Sequence, residues 1–354
     1  MAVIDADTHV DETEDTWEYL LPSERAFRPT CVTDDHDGKR YWLIDGSRFL
    51  RIPRHFDRTG MAVEAGELRD VPARLADMDR MGTEVQVLYP TLLLLAPARR
   101  PEVDRAIRGA YNRWVAERCA QSGGRLRWVC VPSVADLDAA LAEIRWAKEH
   151  GAVGVMKKGD PDFGRWPADP YFFPLYEEAQ RLDLPICFHQ GTGMTDFATG
   201  ADFSLGRFQR LPLSVVNGFY SFVVNSIPER FPRLRFAFVE AGASWVPYVT
   251  YDLRRRSVRH AEGGNVDGVS FRVSADLLRA NRCYVTCQVD EDLPYILNFT
   301  AGDTFVVGSD YGHSDPSVEH QFVPLLEERA RRGEIAPDLV SKLTHDNAKA
   351  LYAL

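Results

Sequence analysis

Apolar residues along the chain fall into two alternating patterns. Short apolar runs read as strands, beginning with Ile4 to Val10. Seven more follow at Glu84–Tyr89, Leu126–Pro132, Ala152–Met156, Leu184–His189, Leu234–Glu240, Cys283–Val289 and Phe305–Asp310. Between them lie stretches with helical spacing. Leu68–Met81 carries Leu75 and Met78 on its apolar side, and Ala135–His150 carries Leu137, Leu141, Ile144 and Ala147. Pro101–Gln121, Pro170–Leu182, a segment ending near Ile227, Ser244–His260 and two helices from Ser317 and Pro337 complete the series. Gly82, Gly123-Gly124 and Gly151 supply stop signals. Eight strands, each followed by a helix, predict a parallel (β/α)8 TIM barrel, with an open doubly wound sheet as the alternative.

One segment breaks the alternation. Residues 11–70 are too long for a plain connection and too aromatic for a disordered one. Arg40 to Leu50 reads as a hairpin turning at Asp45-Gly46. The expected organisation is one barrel domain over residues 1–354, with 11–70 as an insertion folding over the barrel mouth. Tyr41, Trp42 and Phe49 are expected to form the insertion's own small core, with a pocket wall as the alternative.

Composition narrows the function classes. At 45% hydrophobic over 354 residues, the chain can bury a large core. The net charge of −10 argues against nucleic acid or an anionic membrane as partner. No apolar run approaches the roughly 20 residues a bilayer requires, and no signal-peptide pattern opens the chain. Six scattered cysteines without CxxC spacing suggest reduced thiols and a cytoplasmic location. No GxGxxG follows the first strand, which weakens a dinucleotide reading. The expected partner is a small molecule, with a homodimer left open.

The chemistry lies at the strand ends. Side chains at i and i+2 of a strand share a face, so Asp7 and His9 can aim at one point. His189, Glu240 and Asp310 stand at the ends of the fifth, sixth and eighth predicted strands. In a barrel of this kind all such ends face one mouth. Singly, each is explained as a satisfied core residue or a helix cap. Together, two imidazoles and two carboxylates suit one divalent first-row ion such as zinc, manganese or iron. Lys157 and Lys158 follow the fourth strand and are expected on a solvated rim, or else as a charge for a substrate carboxylate. Arg207, Arg210 and His313 are further candidates for substrate contact.

The Asp7-x-His9 strand, His189, and Gly308-Ser309-Asp310-Tyr311-Gly312-His313 resemble the amidohydrolase superfamily. The similarity is to the branch that includes aminocarboxymuconate-semialdehyde decarboxylase and the hydroxybenzoate decarboxylases. It extends to Asp346-Asn347-Ala348-Lys349-Ala350-Leu351-Tyr352 near the end of the chain. The resemblance implies one metal ion held by Asp7, His9, His189 and Asp310, with Asp310 also close to the chemistry. Many members of that branch carry His or Glu where Asp7 stands. The decarboxylases usually carry a His where this chain has Glu240, in Phe238-Val239-Glu240-Ala241-Gly242.

Three functions compete. In a hydrolase, metal-activated water is deprotonated with help from Asp310 or Glu240 and attacks a small carboxylated or aromatic substrate. In a decarboxylase of an aromatic or unsaturated acid, a protein acid protonates carbon as carbon dioxide leaves. The third is a catalytically silent metal-binding barrel. The missing histidine favours hydrolysis, with Glu240 as base, or as a group that orients a ligand histidine.

Overall fold

β1 (Ile4–His9) starts the barrel, and a small antiparallel sheet of β2 (Thr30–Thr33), β3 (Arg40–Ile44) and β4 (Ser47–Leu50) follows it. The remaining barrel strands are β5 (Val85–Tyr89), β6 (Leu126–Cys130), β7 (Ala152–Lys157), β8 (Ile186–His189), β9 (Phe236–Val239), β10 (Cys283–Thr286) and β11 (Phe305–Val306). This computed structural model describes residues 2–51, 60–95, 98–191, 211–261, 276–314 and 316–354, with Phe208 and Ser274. The eight strands pair in parallel in chain order. Most are buried throughout, as parallel strands covered on both faces must be.

The ring closes between β1 and the chain beyond β11. Ala6 N donates to Val307 O at 3.1 Å, Asp310 N to Asp7 O at 3.1 Å, and His9 N to Tyr311 O at 2.6 Å. The expected last strand, Phe305–Asp310, is therefore mostly irregular. Along it Val307, Asp310 and Tyr311 still pair with the β1 backbone, while Ser309 N donates to the Asp5 carboxylate at 2.8 Å and interrupts the regular ladder. The C-terminal helix Asn347–Tyr352 locks the same side, with Tyr352 Oη donating to Ala6 O at 2.9 Å.

Helices separate the strands where their caps predict. Asp70 accepts from Ala73 N to start Val71–Met81, and Gly82 ends it at φ 70°. Asp136 accepts from Ala139 N in the same way for Leu137–Glu149. The predicted helix over 170–182 is a short 3₁₀ turn followed by Phe173–Arg181. Among the described residues no helix is long and apolar enough to cross a membrane.

The insertion hairpin turns at Asp45-Gly46, with Ile44 opposite Ser47. Trp42 is buried edge-on against Trp17, at 5.9 Å between ring centroids. Tyr41 is also buried, and Phe49 is half-buried against the core. Asp45 accepts from Arg99 N and Arg100 N, both at 2.9 Å, and Glu12 accepts from Leu92 N at 2.8 Å. Those contacts tie the insertion to the loop that follows β5.

Candidate metal and active site

Barrel topology gathers the strand-end residues. Asp7 and His9 lie two apart on β1, and His189 ends β8. β9 is the neighbour of β8, with His189 opposite Val239, so Glu240 follows one residue beyond that pairing. Asp310 and His313 come from the loop after β11. Glu240 (φ 61°) and Asp310 (φ 52°) both take left-handed backbone, which costs a non-glycine residue about 1 kcal/mol or more and persists where the surroundings enforce it. Glu240 N donates to Thr286 Oγ1 at 2.6 Å, and Asp310 N to Asp7 O. The glycines of the last motif allow close approach. A Cβ on Gly308 would meet the Asp7 Cβ at 2.4 Å, and one on Gly312 would meet His9 O at 2.6 Å.

The result is a buried cage of acids and imidazoles. His9 Nε2 lies 3.5 Å from Asp7 Oδ1, 3.5 Å from Glu240 Oε2 and 3.4 Å from Asp310 Oδ1. His189 Nε2 lies 3.3 Å from Asp7 Oδ1 and 3.2 Å from Glu240 Oε2. Both imidazoles place Nδ1 against a backbone carbonyl, Pro90 O at 2.8 Å and Gln190 O at 2.9 Å. That leaves each Nε2 facing the cage. His313 stacks on His9 with centroids 3.7 Å apart, and its Nδ1 is 2.8 Å from Asp310 Oδ1.

Those separations fit a metal. A tetrahedron of bonds of about 2.0–2.1 Å has edges of roughly 3.3–3.4 Å, the spacing found here. His9 Nε2 and Glu240 Oε2 are buried without an aligned hydrogen bond, as donor atoms that share a cation are. Among the described residues two overlapping groups of four donors qualify: Asp7, His9, His189 and Glu240, and His9, Glu240, Asp310 and His313. The electrostatics agree. Burial and the neighbouring His313 push the His9 pKa down, but Asp7, Glu240 and Asp310 outweigh them and raise it to about 9. Burial would raise Glu240, yet His313, His9 and His189 hold it well below the usual carboxylate range. Such a cage calls for positive charge, and a dication meets that need as protonated imidazoles do.

The surrounding residues hold the acids in place, and several were missed in the sequence. Ser317 Oγ donates to Asp310 Oδ2 at 2.6 Å and to Glu240 Oε1 at 3.3 Å. Gln190 Nε2 donates to Glu240 Oε1. Arg74 is fully buried, with Nη1 donating to His9 O at 3.0 Å and Nε to Gln86 Oε1 at 2.7 Å. Arg74 and Ser317 stand away from the strand ends, and Gln190, directly after His189, is an uncharged residue that gives no ligand signal in the sequence. Lys157 departs from the solvated rim expected of it: it is buried, with Nζ 3.2 Å from Asp162 Oδ2 and 4.1 Å from the Phe172 ring centroid. Lys158 is partly exposed and reaches the same acid at 3.7 Å. Arg207 and Arg210 lie outside the described residues.

The family model described as Amidohydrolase matches residues 4–354. The chain belongs to the amidohydrolase family. This amidohydrolase overlays an amidohydrolase of Mycobacterium avium subsp. paratuberculosis K-10 with a TM-score of 0.80 at 19% identity, covering 100% of this chain and 98% of the other. It overlays 5-carboxyvanillate decarboxylase of Novosphingobium aromaticivorans DSM 12444, complexed with manganese and 4-hydroxy-3-methoxy-5-nitrobenzoic acid, with a TM-score of 0.70 at 17% identity, covering 100% and 96%. Both likenesses establish the barrel fold. A gamma-resorcylate decarboxylase of Rhodococcus jostii (strain RHA1) is 30% identical over 132 residues, which is 35% of this amidohydrolase and 40% of that relative's length.

Proposed function

We propose that the chain is a metal-dependent, non-oxidative decarboxylase of a hydroxylated aromatic or an unsaturated carboxylic acid. The observation that carries this reading is His313. Hydrolysis was expected because β9 ends in Glu240 with no imidazole. An imidazole reaches the same place from the loop after β11, 2.8 Å from Asp310 Oδ1 and 3.8 Å from Glu240 Oε1. Asp310 and His313 together make a buried acid–imidazole pair able to hold and pass a proton beside the cage. The decarboxylase activities named for the similar proteins support the same choice.

Asp7, His9 and His189, with Glu240 or Asp310, are the residues that would hold the ion. When bound, the ion supplies a Lewis acid that anchors and polarises an oxygen of the substrate. The chain's own part is proton handling. The Asp310–His313 pair delivers a proton to the carboxylated carbon. The bond from that carbon to the carboxylate then breaks, its electrons return to the unsaturated system, and carbon dioxide leaves. The pair regains its proton from solvent.

Glu240, held ionised, favours one other reading, a hydrolase in which it serves as base. Incubation of manganese-loaded enzyme with hydroxybenzoates, aryl amides and lactones, followed by product mass, separates the two. Products lighter by one carbon dioxide are expected. Products that have gained the elements of water, with no loss of carbon dioxide, would establish hydrolysis instead.

A further inference from the structure

We infer that Glu240 binds the metal directly through Oε2, as a ligand beside Asp7, His9 and His189. This rests on the metal reading of the cage and not on which reaction the cage catalyses. The resemblance in sequence had implied Asp310 as the fourth ligand. The geometry points to Glu240, because it belongs to both of the possible four-donor groups and completes the one that holds Asp7, His9 and His189, from which Asp310 is absent. Wherever in the cage the ion sits, Glu240 lies beside it.

The two oxygens of Glu240 have different surroundings. Oε1 accepts from Gln190 Nε2 and, at 3.3 Å, from Ser317 Oγ. Oε2 is buried without an aligned hydrogen bond and stands 3.2 Å and 3.5 Å from the two imidazole Nε2 atoms. One oxygen tethered by hydrogen bonds and the other aimed at imidazole lone pairs is how ligating carboxylates are held. The two imidazoles are themselves oriented as ligands, each with Nδ1 against a carbonyl. The left-handed backbone at Glu240, with its amide on Thr286, keeps the carboxylate beside His189.

The assignment has a chemical consequence. Two ionised carboxylates and two neutral imidazoles balance the charge of a dication, so Asp310 is not needed for neutrality. Its Oδ1 lies 2.8 Å from His313 Nδ1 and 3.4 Å from His9 Nε2, and its Oδ2 accepts from Ser317 Oγ at 2.6 Å, which suits a proton-handling acid at the edge of the cage.

The test is metal affinity. Wild type and Glu240→Gln, stripped with chelator and checked for fold by circular dichroism, are titrated with Mn(II), and free ion is read by electron paramagnetic resonance. Wild type should bind one ion, and the variant should bind at least roughly 10²-fold more weakly. Affinities within about threefold of each other would overturn the inference while leaving the metal site standing. A wild type that binds no Mn(II) would overturn the metal reading and this inference with it. Should the variant fail to fold, a crystal structure of Mn(II)-loaded wild type decides: Glu240 Oε2 at about 2.2 Å from the ion supports the assignment, and a separation beyond about 3 Å overturns it.

Discussion

Asp7, Glu240 and Asp310 are buried within reach of the same imidazole, an arrangement that is unfavourable until positive charge joins it. His189 Nε2 contacts two of these acids, Asp7 at 3.3 Å and Glu240 at 3.2 Å. His189→Ala should therefore leave a folded protein with strongly depleted metal, measured by elemental analysis, and full metal content in that variant contradicts the cage. A second buried pair sits at the end of β7. Burial pushes the Asp162 pKa up, but Lys157, Lys158 and Arg108 outweigh it and hold the acid at about 2. A depressed carboxylate stabilises the fold above its ordinary pKa near 3.8 and loses that contribution as pH falls through 2. The shift corresponds to roughly 2 kcal/mol. Asp162→Asn leaves Lys157 buried without its partner and should cost about 3–5 kcal/mol in urea unfolding at neutral pH. Its stability should also fall less than wild type's between pH 4 and 2, and an unchanged acid profile contradicts the pairing.

At the scale of elements, the seam between β1 and the loop after β11 carries Asp7, His9, Asp310 and His313. It is held by Asp5, which accepts from Ser309 N and Oγ at 2.8 Å and 2.6 Å, and by Arg74 on His9 O. The Arg74 guanidinium also covers the Tyr311 ring at 3.7 Å. Arg74→Met should lower stability by roughly 2–4 kcal/mol, since it strands buried acceptors, and should weaken Mn(II) binding without touching the cage. Loss of stability with unaltered metal affinity would restrict Arg74 to folding. We propose that the insertion, residues 11–70, forms part of the mouth. It grips the loop after β5, whose Thr91 Oγ1 lies 3.3 Å from His313 Nε2. Trp42→Ala, which empties the contact with Trp17, should raise KM more than it lowers kcat, and an unmoved KM contradicts that placement.

How legible these elements were depends on how local their causes are. β1, β8 and β9 announce themselves because apolar runs end abruptly in polar residues at His9, His189 and Glu240. The hairpin at Asp45-Gly46 is equally local. β11 is not, since its early end depends on the Asp5 carboxylate, about three hundred residues distant in sequence. Lys157 reads as a rim residue because nothing in its neighbours announces that Asp162 and Phe172 will enclose it. His313 reads in the sequence as a candidate for substrate contact, and its stacking on His9 is a product of barrel closure.

For the whole molecule, the barrel brings four widely separated stretches of sequence, around His9, His189, Glu240 and Asp310, to one buried cage. Amidohydrolase-family barrels of this shape accommodate more than one chemistry, so the product decides the function. The most direct measurement is turnover of the substrate found in the panel, run in deuterium oxide with carbon dioxide and ring deuterium quantified together. One carbon dioxide released and one deuterium placed on the former carboxylated carbon per turnover are expected of a decarboxylase. A product that keeps its carboxylate carbon and takes up oxygen from solvent would contradict that reading.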